Sequence, residues 1–365
     1  MSLKCGIVGL PNVGKSTLFN TLTKAINAQA ANFPFCTIEP NIGIITVPDA
    51  RLNKLEELVN PERVMPTTVE LVDIAGLVKG ASKGEGLGNK FLGNIRSVDA
   101  IVHVIRCFDD DNVVHVDGSI DPIRDKEVID TELQFKDLES LEKMKAKAAK
   151  VAKTGDKLGK KQVEVTTKLI DHLLTGKSAR SLELDEDSLL IIKDLNLLTI
   201  KPTLYACNVD EASAVSGNAY VEKIRAIAEE EGAKILIISA KVESEIVLMD
   251  EEDQEMFLED LGLTESGMDR LIKASYDLLS LETYFTAGVK EVRAWTIHQG
   301  TKAPQAAGVI HTDFEKGFIR AEVIAYKDYV EFGSEAACRD KGKLRVEGKE
   351  YVVQDGDVLH FRFNV

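Results

Sequence analysis

Cys5-Gly6-Ile7-Val8-Gly9-Leu10-Pro11-Asn12-Val13-Gly14-Lys15-Ser16-Thr17-Leu18-Phe19-Asn20 decides the fold. Cys5 to Val8 is a short apolar run that reads as a buried strand, and Thr17 onward reads as the first turns of a helix. Between them, Gly9 to Ser16 spell G-x-x-x-x-G-K-S. A strand, a glycine loop and a helix in that order form a phosphate cradle. The backbone N–H groups of Asn12, Val13, Gly14, Lys15, Ser16 and Thr17 can curl around a β-phosphate, and the helix N-terminus adds a positive dipole end. Lys15 reaches the β- and γ-phosphates as a point charge and is the first candidate catalytic residue. The Ser16 hydroxyl can ligate Mg²⁺. The cradle implies a nucleoside triphosphate without saying which base.

Working outward, Val69–Ile74, Ala100–Ile105, Thr203–Cys207 and Lys234–Ile238 are strand-like and alternate with helical stretches. That alternation predicts an α/β fold, a doubly wound and mostly parallel sheet whose ligand lies beyond the carboxyl ends of the strands. Asp73-Ile74-Ala75-Gly76 ends one such strand as D-x-x-G. The aspartate is expected to hold Mg²⁺ through water, and the Gly76 N–H to sense a γ-phosphate. In the proline-bracketed loop Asn32–Asn41, Thr37 is the candidate second Mg²⁺ ligand; its bland alternative is a capping threonine.

Two later strand ends bear on the base. Ser239-Ala240-Lys241 can support it. Asn208-Val209-Asp210-Glu211 departs from the guanine-reading pattern N-K-x-D, with Val209 in the lysine position and Glu211 in the aspartate position. A bidentate carboxylate displaced by one methylene loses its geometry on the guanine edge. Adenine suits Asn208 and the neighbouring backbone better.

These motifs, with the stretch Gly308–Ala321, resemble the Obg-like ATPases, the YchF family, over the whole chain. The resemblance implies a nucleotide domain over 1–281, interrupted at 127–196 by a helical coiled-coil arm, and a C-terminal TGS domain over 282–365 with a β-grasp fold. It further implies preference for ATP over GTP, slow intrinsic hydrolysis and association with the ribosome or its RNA, on a large subunit or whole particle. The expectation is a monomeric, cytoplasmic switch protein acting in translation or stress response. A GTPase of ribosome assembly and a non-catalytic, nucleotide-gated binding module are the alternatives.

Leu77 stands where Ras-like enzymes place a water-orienting glutamine, and it neither donates nor accepts a hydrogen bond. His115, in a polar segment after a strand, is the candidate substitute, although a lone histidine there also reads as a surface residue. Asn12 is a candidate ligand for K⁺, or it only shapes the loop.

Composition bounds the rest. Of 365 residues, 44 % are hydrophobic, and no apolar run reaches membrane-spanning length. The N-terminus enters the first strand with no room for a signal peptide. Cys5, Cys36, Cys107, Cys207 and Cys338 are dispersed without a C-x-x-C pair, as expected of intracellular thiols. The net charge of −15 argues against nucleic acid, but it is unevenly spread. Lys143 to Lys161 holds eight lysines against one acid, whereas Val242 to Asp269 holds eleven acids and no lysine or arginine. The basic stretch reads as the tip of a helical hairpin, with Lys153, Lys157, Lys160 and Lys161 as candidate contacts to a phosphate backbone. Lysine runs are also common on solvated helix faces, and the acidic stretch is expected to be such a face.

Overall fold

The computed structural model describes residues 4–30, 38–39, 41–74, 87–110, 112–113 and 118–364. Among them, in chain order, are the strands β1 (Lys4–Val8), β2 (Ile38–Glu39), β3 (Ile42–Thr46), β4 (Val64–Met65), β5 (Thr68–Asp73), β6 (Ala100–Arg106), β7 (Thr203–Asn208), β8 (Lys234–Ile238), β9 (Leu281–Ala287), β10 (Val292–His298), β11 (Phe318–Ala325), β12 (Arg345–Glu347) and β13 (Asp357–Phe363). The first sheet has the order β2-β3-β5-β1-β6-β7-β8. From β5 to β8 every neighbouring pair is parallel, and β2 turns back antiparallel on β3. Every residue of β6 and β7 is buried, as central parallel strands covered on both faces must be. The sheet order reverses around β1, and the loop leaving β1 therefore opens into the crevice where such sheets bind ligands.

The sixteen-residue helix α1 (Lys15–Ala30) follows that loop. In chain order come α2 (Ala50–Val59), α3 (Leu87–Arg96), α4 (Pro122–Ala152) and α5 (Lys157–Leu173). The expected helical hairpin is α4 with α5. With 31 residues, α4 is about 46 Å long. Asp121 caps its N-terminus by accepting from the Ile123 and Arg124 N–H groups, with Pro122 in the first turn. Leu141, Val165, Leu169, Ile170 and Leu173 form the hairpin core. Asp156 accepts from the Gly159 N–H to start α5. A Cβ on Gly159 would lie 3.1 Å from the Ala152 nitrogen and 3.3 Å from the Ala148 carbonyl oxygen, so its absence lets the two helices meet near the tip.

The root of the arm is polar and buried. Asp137 of α4 accepts from the N–H groups of Leu198 and Thr199 and from the Thr199 hydroxyl, at 2.6–2.8 Å, latching the returning chain to the helix. After α6 (Glu186–Ile192), β7 leads to α7 (Ala219–Glu231). The Glu231 carboxylate receives Lys126 of α4, Arg180 from the return chain and the Tyr205 hydroxyl of β7. Burial would raise the Glu231 pKa, but Arg180 and Lys126 outweigh it and hold the group down to about 2. His103 of β6 stacks obliquely on Tyr205 within this cluster. Burial above all pushes its pKa down to about 4, Lys126 and Arg180 assisting and Asp130 and Glu231 opposing.

The second sheet has the order β12-β11-β13-β9-β10-β4. β9 and β10 form a hairpin, the last long strand β13 lies parallel beside β9, and β11 and β12 follow antiparallel. This is the expected β-grasp layout. The addition is β4, which pairs with β10 from far upstream in the chain. The chain divides into two compact units, and the second includes Ile44–Val69 and Ile272–Val365 among its segments. α2 therefore lies in the second unit. Leu52 and Leu55 of α2 are buried with Phe285, Val292, Ala294, Ile324, Tyr329 and Val358. Nothing in the local pattern of α2 shows which sheet its apolar face covers.

The acidic stretch is not wholly a solvated face. Glu243 is 3 % exposed and accepts from the N–H groups of Gly267 and Met268, capping the helix Gly267–Leu278. Cys5, Cys107, Cys207 and Cys338 are buried; Cys36 lies outside the described residues. Among the described residues, no helix is long and apolar enough to cross a membrane.

Two measurements check these placements. Leu55→Ala should cost about 2–4 kcal/mol and shift unfolding followed by the fluorescence of Trp295, the chain's single tryptophan, in β10. An unchanged Trp295 transition would contradict the placement of α2. The unfolded chain protonates His103 near pH 6.5 and the folded chain near pH 4. Between those values the unfolded state binds more protons, so stability falls as the pH drops from 6.5 to 4, by roughly 3 kcal/mol from this group. His103→Gln should flatten the pH dependence of thermal unfolding in that window; an unaltered slope would show that His103 is protonated in the folded state.

Candidate nucleotide site

The loop Gly9–Ser16 is shaped by two left-handed residues, Asn12 at φ 63° and Gly14 at φ 96°. Asparagine tolerates that region and glycine occupies it freely. This conformation accords with Asn12 shaping the loop. Gly9 and Gly14 are required for a second reason. A Cβ on Gly9 would sit 2.8 Å from the Val104 carbonyl oxygen of β6, and one on Gly14 would sit 2.1 Å from the Asn208 Nδ2. Val13 points into the core at 1 % exposure, and the Leu18 N–H donates to the Gly14 carbonyl as α1 begins.

Lys15 is 8 % exposed, and its ammonium is paired with the Asp73 carboxylate at the end of β5. The register of β5 on β1 sets Asp73 beside Ile7, one strand from the loop. Ser16 follows on the exposed side of α1. A serine hydroxyl and an aspartate carboxylate make an all-oxygen donor set, which suits Mg²⁺. Thr37, Gly76, Leu77 and His115 lie outside the described residues.

Asn208 has a sharper place than a base contact alone. It is 3 % exposed at the end of β7. Its Nδ2 donates to the Val13 carbonyl at 2.9 Å, and its Oδ1 accepts from the Ala240 N–H at 2.9 Å. One amide thus ties the phosphate loop to the strand-end segment after β8. Each head atom keeps one further bonding capacity, an N–H on one side and a lone pair on the other. Val209 is 2 % exposed, and its side chain packs with Ile105, Cys107, Tyr205, Val221 and Ile224. Asp210 is spent on a local turn, accepting from the Ser213 N–H. Glu211 lies 3.7 Å from Lys241, with both side chains exposed. The Ser239 hydroxyl is buried without a hydrogen-bond partner among the described residues, directly before Ala240. An orphaned hydroxyl beside the Asn208 amide fits a polar base edge.

On the arm, Lys153, Lys157 and Lys160 are exposed and have no ion-pair partner among the described residues. Lys161 differs from the other three: it pairs with Asp187 at 2.7 Å. Lys143 is paired with Glu139 one turn earlier.

Residues 4–145 match the family model described as a 50S ribosome-binding GTPase. Residues 281–364 match the model of the YchF-type GTPase C-terminal region, described as a protein of unknown function (DUF933). The chain is 58 % identical over 365 residues to the protein named Ribosome-binding ATPase YchF of Haemophilus ducreyi, with all of both chains covered. It is also 58 % identical to the protein of that name in Bacillus subtilis and 54 % identical to that of Escherichia coli O157:H7, again over all of both chains. The chain belongs to the YchF family. A solved structure of the Schizosaccharomyces pombe YchF GTPase superposes with a TM-score of 0.89 at 41 % identity, covering 99 % of this chain and 98 % of that one. The resemblance read from the motifs holds over the whole chain, and so does the expected fold class.

The brace in this YchF-family site yields a sharp expectation. Asn208→Asp keeps an acceptor for the Ala240 N–H but removes the donor to the Val13 carbonyl. Nucleotide affinity should fall about tenfold or more, since a buried carbonyl loses its partner and a second carbonyl-like oxygen faces it. Isothermal titration with Mg²⁺-ATP checks this; unchanged affinity would show that the loop holds its shape without Asn208.

Proposed function

We propose that this YchF-family chain is an ATP-binding and slowly ATP-hydrolysing switch that binds ribosomes. The observation that carries the reading is the union of the phosphate loop, its Lys15–Asp73 pair and the Asn208 brace in a chain that matches ribosome-binding ATPases end to end. In this reading the backbone from Asn12 to Thr17 cradles the phosphates, and Lys15 moves from Asp73 to the β- and γ-oxygens. Ser16, Thr37 and, through water, Asp73 would hold Mg²⁺, which supplies charge neutralisation at those oxygens. Gly76 reads the γ-phosphate, and Asn208, Ser239 and Ala240 border the base. Leu77 supplies no water-orienting group, which accounts for slow turnover; His115 and a K⁺ ion near Asn12 are the candidates to replace it.

Adenine is favoured because Val209 is in the core and Glu211 lies near Lys241, so no carboxylate is fixed for the guanine edge. The second reading, a GTPase, is favoured by the match of residues 4–145 to the 50S ribosome-binding GTPase family and by the likeness to the S. pombe YchF GTPase. The ribosome contact runs through the lysines of the arm tip, which meet a phosphate backbone without reading sequence. We further propose that the chain acts as a monomer in the cytoplasm.

One experiment separates these readings. Turnover of ATP and GTP is measured with and without ribosomes, in K⁺ and in Na⁺, for the chain and for its Lys153→Ala/Lys157→Ala/Lys160→Ala variant. Preference for ATP, stimulation by ribosomes and weaker, less salt-dependent ribosome binding by the variant are expected. Preference for GTP would overturn the base reading. No turnover under any condition would leave a nucleotide-gated binding module.

A further inference from the structure

Between the Thr37 loop and the D-x-x-G strand lies the segment Ile44–Val69. Both flanking motifs serve the γ-phosphate and Mg²⁺ in the reading above, on which this inference rests. The segment between them belongs to the C-terminal β unit. The chain therefore passes from the nucleotide unit to the C-terminal unit at Gly43/Ile44 and returns at Val69/Glu70. The crossing is a two-stranded ribbon. At one end the Asp73 N–H donates to the Asn41 carbonyl at 2.8 Å, and at the other the Val47 N–H donates to the Thr67 carbonyl at 3.0 Å. Its two strands are β3 and β5, neighbours in the first sheet.

Its far end is held by specific bonds inside the C-terminal unit. Arg51, in the first turn of α2, donates to both oxygens of Asp49 at 2.8–2.9 Å and to Asp355 at 2.6 Å. Asp355 also accepts from the Thr283 N–H at 2.9 Å, so the clasp locks the start of α2 to the turn before β13 and to β9. The guanidinium lies over the Phe285 ring at 5.3 Å. Beyond α2, the Glu62 N–H donates to the Val289 carbonyl and the Val292 N–H to the Arg63 carbonyl, while Arg63 pairs with Glu291. The near end carries Asp73, whose carboxylate shares Lys15. Triphosphate oxygens compete for that ammonium, so binding must re-partner the residue at the tip of the ribbon.

We propose that Ile44–Val69 is the transmission element of the switch, through which re-partnering of Asp73 is conveyed to α2 and the C-terminal β-grasp sheet, with the Arg51–Asp355 clasp as its anchor. Linkage makes the effect reciprocal: what shifts the C-terminal unit shifts triphosphate affinity by the same factor. Arg51 is a positioning residue, distant in sequence from every group assigned to phosphate, metal or base.

The test is hydrogen exchange of the full-length chain without nucleotide, with Mg²⁺-ADP and with a non-hydrolysable ATP analogue. Exchange in residues 50–59 and 281–298 should differ by about fivefold between ADP and the ATP analogue. Arg51→Ala should reduce that difference below about twofold while leaving the response of residues 9–18 intact. Trp295 fluorescence monitors folding of the C-terminal unit; if Arg51→Ala unfolds it, Asp355→Asn takes its place. A response at 9–18 without one at 50–59 and 281–298 overturns the inference. So does a response that persists unchanged in the variant. No response at 9–18 either would overturn the ATP reading itself.

Discussion

The Asn208 amide holds together three parts of the chain that are far apart in sequence. It joins the end of β7 to Val13 in the phosphate loop and to Ala240 after β8. Its burial makes both bonds obligatory, because a buried carbonyl or N–H left alone is expensive. The loop's other constraints follow. Gly14 has no room for a Cβ because Asn208 occupies that space, and its φ of 96° is one that other residues rarely adopt. Gly9 is pressed against β6. The backbone of the cradle is thus preorganised by its neighbours.

The first sheet and the phosphate loop were legible because their signals are local. Apolar runs bounded by turns mark β5 to β8, and the glycine pattern follows β1 directly. The helical hairpin was legible from its lysine-rich tip, Lys143 to Lys161, and from the family resemblance. What was hidden depends on distant partners. α2 is an ordinary amphipathic helix, and only the fold shows that Leu52 and Leu55 meet Phe285 and Val358. The role of Asn208 as a brace is invisible in a four-residue motif that names only base contacts. Glu243 sits among many acids and looks solvated, yet it caps a helix 24 residues away. The Lys126 pairs with Asp130 and with the distant Glu231 emerged only from the fold.

The charge distribution acquires a structural meaning. Among the described residues, Lys153, Lys157 and Lys160 at the arm tip have no ion-pair partner, whereas Lys126 and Lys201 near its root are buried and bonded. The arm is attached by polar groups rather than by an extended apolar face: Asp137 grips the returning backbone, and Glu231 collects Lys126, Arg180 and Tyr205. Such networks are costly to break one partner at a time, since each loss leaves a buried charge uncompensated. The arm's direction is therefore fixed where it leaves the domain, and its polarity increases toward the end that meets solvent.

The position of α2 also bears on how the protein is made. Leu55 emerges from the ribosome early, but Val358, against which its cluster closes, is synthesised about 300 residues later, which at cellular elongation rates is roughly 15–60 s. Throughout that interval the apolar face of α2 and the unpaired edge of β4 lack their native cover. The C-terminal sheet can close only when β13, which carries Val358, has arrived. The apolar face of α2 thus waits through the synthesis of the whole nucleotide unit and arm before its native partners exist.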